Sequence, residues 1–316
     1  MNPRTNHYDD YGYIDYSRSN HRRPEPGRKQ KTSHKVVKMT LAEIDDTVES
    51  FVPTYAAALD PKHHERHWVI QSLGSFYQND QINDVLRIVK AGKEANVYCC
   101  TGGPATGREL LAAKLYRPRM LRHLKNNAIY KEGRTQRGDD GKEIRGSREL
   151  RAIDKKTEFG AQLEITAWIE NEFQTQCQLY AAGADVPAPV AHAGNTILMA
   201  YLGDAIMPAP TLIDVALPRK EAQPLFDRVF HNIELLLRHH LIHGDLSPYN
   251  ILYWEGEITI IDFPQAVDAR VNPNAYALLE RDVWRVGEYF ARFGVKADFK
   301  QMAFDLWEQY MTATLL

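Results

Sequence analysis

One stretch constrains this chain more than any other: His243-Gly244-Asp245-Leu246-Ser247-Pro248-Tyr249-Asn250, with Asp262 following twelve residues after Asn250. It sets two carboxylates and one amide in the order H-x-D-x-x-x-x-N, then a short connection, then a second Asp. Leu225, Phe226, Val229, Phe230, Ile233, Leu236 and Leu237 precede it with the spacing of one helix face. Ile251 to Tyr253, a turn at Glu255-Gly256-Glu257, and Ile258 to Ile261 follow it and read as a hairpin that delivers Asp262 at its end. Helix, polar loop, hairpin and carboxylate in that order leave few arrangements. The residue types suit phosphoryl transfer, which needs a carboxylate near the nucleophile and hard oxygen ligands for Mg²⁺ on the phosphates. Asp245 suits the first task; Asn250 and Asp262 suit the second, with Mn²⁺ as a substitute ion.

The N-terminal half supplies the rest of an ATP site. Val85 to Val89 reads as a strand, Lys90 to Asn96 as a turn, and Val97 to Cys100 as the returning strand. Gly92-Lys93-Glu94-Ala95-Asn96-Val97-Tyr98 then sits where a phosphate-covering loop belongs, making Gly92, Lys93 and Val97 candidate nucleotide contacts. It holds one of the three glycines of G-x-G-x-x-G; Lys90 and Ala95 occupy the other two places. Leu111-Ala112-Ala113-Lys114-Leu115-Tyr116 is a strand with Lys114 inside it, like the V-A-I-K strand whose Lys pairs with the α- and β-phosphates. Ile165, Trp168, Ile169, Glu172 and Gln176 share one helical face, so Glu172 points inward with apolar residues. A charge there is costly unless paired, and Lys114 is the natural partner. Glu170, the rival, falls off that face.

Three phosphotransferase groups share this constellation: ordinary protein kinases, small-molecule kinases of the aminoglycoside and choline type, and atypical RIO kinases. Gly244 stands where ordinary protein kinases carry Arg, and Asp262-Phe263-Pro264 where they carry D-F-G. No A-P-E follows, and the 54 residues after Asp262 are too few for an activation loop and the helices that bind a peptide. Gly92 to Tyr98, Ala113-Lys114-Leu115-Tyr116, Glu172, Gly183-Ala184-Asp185-Val186-Pro187-Ala188-Pro189, the His243 to Asn250 loop and Asp262-Phe263-Pro264-Gln265 together resemble a RIO kinase, across roughly residues 80 to 292. The resemblance is closest to the first RIO subfamily and its prokaryotic relatives. Residues 40 to 80 do not read as the winged helix of the second subfamily, although Phe263-Pro264-Gln265 is nearer that subfamily's wording.

The resemblance implies an α+β, two-lobed protein-kinase-like fold. Its N-lobe is an antiparallel sheet plus a helix; its mainly helical C-lobe lacks the activation loop and peptide-binding helices. It implies an ATP- and Mg²⁺-dependent serine/threonine kinase and ATPase, acting on Ser/Thr or forming an aspartyl-phosphate on Asp262, and serving as a switch on a pre-ribosomal particle. Met199 would lie behind the adenine, the Ala200 carbonyl would accept from its amino group, and the Leu202 N–H would donate to the ring. The family often has Glu where this chain has Ala200; only backbone is used there. Leu278, Leu279, Val283, Val286, Tyr289 and Phe290 define a further helix face with Asp282 on its edge. In kinase-like folds an acid on that helix accepts from the catalytic loop, so Asp282 is expected to accept from N–H groups around His243 or Gly244; the alternative is a surface acid paired with Arg281 or Arg285. His243 is expected to be a structural hydrogen-bonding residue beneath Asp245.

Charge and composition set the organisation. Residues 1–38 carry 9 Lys/Arg against 4 Asp/Glu, and residues 117–158 carry 13 against 7, although the whole chain is at −2. The first segment lacks apolar periodicity and reads as a disordered basic tail; 39–80 reads as a helical extension, 81–203 as the N-lobe with 117–158 as a flexible basic insert, and 204–316 as the C-lobe. Tail and insert could touch rRNA. Three cysteines without C-x-x-C spacing fit a reducing compartment, and the absence of a long apolar run or apolar leader points to a cytoplasmic protein away from membranes. Two other readings stay open: a small-molecule kinase and a non-catalytic ATP-binding scaffold.

Overall fold

The structure is a computed structural model that describes residues 51–117 and 158–315. The expected basic tail and most of the basic insert lie outside these residues. Two helices, α1 (Thr54–Ala57) and α2 (His64–Gln78), lead into three strands, β1 (Ile82–Ala91), β2 (Ala95–Gly102) and β3 (Leu110–Tyr116). Helix α3 (Glu158–Ala181) then precedes β4 (Pro189–Ala193) and β5 (Thr196–Ala200). The five strands form one antiparallel sheet in the order β1-β2-β3-β5-β4.

Strand alternation decides what this sheet presents. Leu111, Ala113 and Leu115 of β3 point into a core with Val69, Leu73 and Phe76 of α2, Val85 of β1 and Tyr98 of β2. Ala112, Lys114 and Tyr116 point to the other face, where Tyr116 packs with Ile165, Trp168 and Ile169 of α3. Each large apolar side chain removed from water in these layers contributes about 1.5–3 kcal/mol. One strand thus carries both the packing that fixes it and the cation it displays. The strands run further than the apolar runs suggest: β1 and β2 extend to Ala91 and Ala95, leaving only Gly92, Lys93 and Glu94 between them, because the ladder from Val85↔Cys100 to Ala91↔Asn96 continues past the apolar residues.

After the connecting segment, α4 (Arg219–Arg238), β6 (Leu241–Ile242), β7 (Ile251–Trp254), β8 (Glu257–Ile260), β9 (Val267–Asp268), α5 (Ala275–Ala291) and α6 (Phe299–Met311) build the second lobe. Its core joins Leu225, Phe226, Val229, Ile233, Leu236 and Leu237 of α4 to Leu278, Val283, Val286 and Phe290 of α5. The β7–β8 hairpin turns on Glu255 and Gly256 alone, at φ +50° and +88°; positive φ at both centres matches the twist of a two-residue hairpin. Ile261 therefore lies beyond the strand, and its N–H donates to the Asn250 carbonyl at 2.9 Å. Gly287 is the contact point of α5 with α6: a Cβ there would stand 2.3 Å from the Phe299 ring. Among the described residues, no helix is long and apolar enough to cross a membrane.

Candidate active site

A cleft of about 730 Å³ lies between the sheet and the second lobe. Gly92, Lys93 and Val97 line its roof, Lys114 and Glu172 its back, Met199, Ala200 and Leu202 the connecting segment, and Asp262 its floor. Asp245 and Asn250 stand beside it on the loop after β6 and do not line it.

Lys114 joins the two lobes. Its Nζ lies 2.6 Å from Glu172 Oε1 on α3 and 2.6 Å from Asp262 Oδ1 in the second lobe. Burial opposes its charge, but attraction to Asp262 and Glu172 outweighs that and holds the ammonium above the usual lysine range. For Glu172, burial dominates and pushes the carboxyl up to about 7, with Lys114 pulling the other way. For Asp262, burial raises and the Lys114 charge lowers; the lysine prevails and the carboxyl stays below the usual range. Asp262 also sits at φ +75°, a backbone region that non-glycine residues seldom adopt and that clusters at functional sites. The rival Glu170 is buried as well: it is 2% exposed, with Oε2 3.0 Å from His192 Nε2. Because α3 is covered on more than one side, a single apolar stripe understates what it buries.

The loop carrying Asp245 is clamped by α5. Asp282 Oδ2 accepts from the Gly244 N–H at 2.7 Å and Oδ1 from the Leu246 N–H at 3.0 Å. Arg281 donates to the Gly244 carbonyl. Arg285 Nη1 donates to Asp245 Oδ1 at 2.8 Å; it is the residue that sequence reasoning missed as a partner of the catalytic candidate. Position i+3 from Asp282 was its one available signal. His243 is buried, and burial moves its pKa below the usual histidine value. Its Nδ1 accepts from the Asp245 N–H at 3.3 Å, and its Nε2 lies 3.2 Å from the Ile261 carbonyl. This fixes the ring tautomer and ties the loop to the segment entering Asp262. Asn250 Nδ2 donates to the Asp245 carbonyl at 2.9 Å, which leaves its side-chain oxygen as the atom that could meet a cation.

The connecting segment is tethered at both ends. Gln176 of α3 donates to the Pro187 carbonyl at 2.7 Å and touches Met199 Sδ at 3.7 Å. Arg87 of β1 donates to the Tyr201 hydroxyl and the Ala205 carbonyl, both at 2.9 Å. Gly203 stands at φ +124°, where a Cβ would meet the Met207 carbonyl oxygen at 2.4 Å, so the bend needs glycine.

A sequence model of the RIO domain matches residues 112–302, from within β3 to the first turn of α6. The chain belongs to the RIO domain family. Among its relatives are a serine/threonine-protein kinase RIO1 of Caenorhabditis elegans, 29% identical over 66% of this chain and 37% of that protein, and a RIO-type serine/threonine-protein kinase Rio1 of Haloferax volcanii, 31% identical over 66% and 64%. This RIO domain chain thus spans well under half of the nematode relative's length and just under two thirds of the archaeal one's. Its fold is also that of the Rio2 kinase from Chaetomium thermophilum, solved as an ADP/Mg²⁺-phosphoaspartate complex, with a TM-score of 0.51, 20% identity, and 86% and 79% of the two chains covered. The RIO fold here is the two-lobed, α+β kinase-like one: antiparallel sheet and helix above, helices below. Among the described residues, the 12 that separate Asp262 from α5 replace an activation loop.

Proposed function

We propose that this RIO domain is an ATP- and Mg²⁺-dependent phosphotransferase, a serine/threonine protein kinase of RIO type with ATPase activity. The observation that carries the reading is Lys114, poised at 2.6 Å from carboxylates of both lobes inside the cleft. A phosphate oxygen offered there competes with Asp262 for the ammonium and frees that carboxylate.

The donor set fits the ion. Asn250 and Asp262 supply an amide and a carboxylate oxygen, the hard ligands Mg²⁺ accepts when phosphates and water complete its octahedron. Among the described residues, no group of three or more His, Cys, Asp or Glu side chains could hold a metal without such help. When bound, the ion would neutralise charge on the transferring group. The chain's own residues do the rest. Glu172 orients Lys114, Arg285 leaves Asp245 Oδ2 to accept the proton of an attacking hydroxyl, and Asp282 fixes the backbone on which Asp245 rides.

Two acceptors suit the geometry: a Ser/Thr hydroxyl at Asp245, or Asp262 itself. The related fungal Rio2 is described with a phosphoaspartate, which supports the second. A role as a switch on a pre-ribosomal particle fits that chemistry and the two basic segments of the sequence. Incubation of the purified chain with γ-labelled ATP tests the reading. Label that is acid-stable on Ser/Thr, or hydroxylamine-labile on Asp, is expected, and Asp262→Asn should abolish turnover. Near wild-type ATPase activity in Asp262→Asn would overturn the metal and acceptor assignments together.

A further inference from the structure

The turn over the cleft is held from a helix that lies ahead of the matched domain. Only Gly92, Lys93 and Glu94 separate β1 from β2, and the turn is so tight that a Cβ on Gly92 would stand 2.6 Å from the Ala95 carbonyl oxygen. Asn96, 2% exposed, closes it: its Oδ1 accepts from the Gly92 N–H at 3.3 Å and from Arg117 Nη2 at 2.9 Å. Its Nδ2 donates to the Tyr98 hydroxyl at 3.0 Å and reaches Glu65 Oε1 at 3.4 Å. The amide has one orientation only, since one end meets two N–H donors and the other meets two oxygens.

Glu65 is the acceptor on which this arrangement converges. Its Oε1 accepts from the Tyr98 hydroxyl at 2.6 Å and the Tyr55 hydroxyl at 3.1 Å, besides Asn96. Tyr98 is fully buried, so its hydroxyl and the Asn96 amide have no water to turn to if the carboxylate is removed, and a buried donor left unmet is costly. Glu65 stands on α2, upstream of residue 112 where the RIO match begins. Helix α2 is itself fixed to the sheet by Val69, Leu73 and Phe76, and α1 by Asp84, which accepts from the Thr54 N–H at 2.7 Å.

We propose that Glu65 is a positioning residue for phosphate binding: through Asn96 it sets the backbone of the Gly92–Glu94 turn, so the N-terminal helical segment is a working part of the nucleotide site. This rests on the nucleotide reading above. Removing the carboxylate lets Asn96 turn away from the Gly92 N–H, and the turn loses the conformation that meets the phosphates. The adenine end of the cleft, built by Met199, Ala200 and Leu202, is untouched.

The test compares ATP with adenosine binding to the full chain by calorimetry. Glu65→Ala should weaken Mg²⁺-ATP by about tenfold, the loss of roughly one charge-assisted hydrogen bond, with adenosine affinity unchanged. Glu65→Gln keeps an oxygen acceptor and should restore the wild-type ratio. Tyr55→Phe removes a donor that does not lead to Asn96 and should leave the ratio alone. Equal loss of both ligands in Glu65→Ala, an unchanged ratio, or failure of Glu65→Gln to restore it would overturn the proposal. Should Glu65→Ala not fold, Glu65→Asp, which withdraws the carboxylate by one methylene, is read the same way. A wild-type chain that binds neither ligand would overturn the nucleotide reading itself.

Discussion

Single side chains at this site do more than one task, and Asp282 shows it best. Both its oxygens take backbone N–H groups of the loop that carries Asp245, while burial drives its carboxyl up to about 7. Asp282→Ala should therefore cost about 1–3 kcal/mol of stability for the two orphaned donors and lower turnover as well, because the loop that aims Asp245 loses its anchor. Denaturant melts and steady-state rates on the same preparation check this; unchanged values in both would mean that the loop does not depend on Asp282. This contact was legible in the sequence, since a carboxylate on the edge of an apolar helix face must find donors and the resemblance to kinase-like folds pointed to the catalytic loop. The Lys114–Glu172 pairing was legible for the same reason. Arg285 was not: a long cation at a helix edge has several carboxylates within reach, and only the fold decides that it takes Asp245. Nor was Glu65, whose partners Asn96 and Tyr98 lie more than thirty residues away on β2.

At the scale of elements, the motifs located strands and helices, and ladder and packing geometry set their ends. The β1–β2 turn came out three residues long instead of seven because inter-strand pairing continues through Lys90↔Val97 and Ala91↔Asn96, where side chains give no alternation to read. The α5–α6 crossing was equally hidden. Gly287 is one glycine among nineteen, and nothing local says that the Phe299 ring lies against it. Gly287→Ala should destabilise the second lobe by about 1–3 kcal/mol, since the new methyl must displace the ring, despite the better helix propensity of Ala. Thermal unfolding checks the sign: a higher melting temperature would mean that the helices part at little cost.

For the molecule as a whole, charge is sorted along the chain. The segments 1–38 and 117–158 hold a surplus of cations while the remainder is acidic. If these segments engage RNA, affinity for a structured RNA should fall steeply with salt as phosphate contacts release counterions, and deletion of 1–38 should flatten that slope in a binding titration. Negligible affinity at low salt would remove nucleic acid from the account. A different consequence follows from the 12 residues between Asp262 and α5. They are stitched down: Phe263 and Val267 are buried, β9 pairs with β6, and the Ala269 N–H donates to the His240 carbonyl at 2.8 Å. If the chain is the phosphotransferase proposed above, it has no slack segment there that a covalent mark could rearrange. On the function proposed above, control at this segment falls to what occupies the mouth of the cleft, not to a rearrangement of the segment itself.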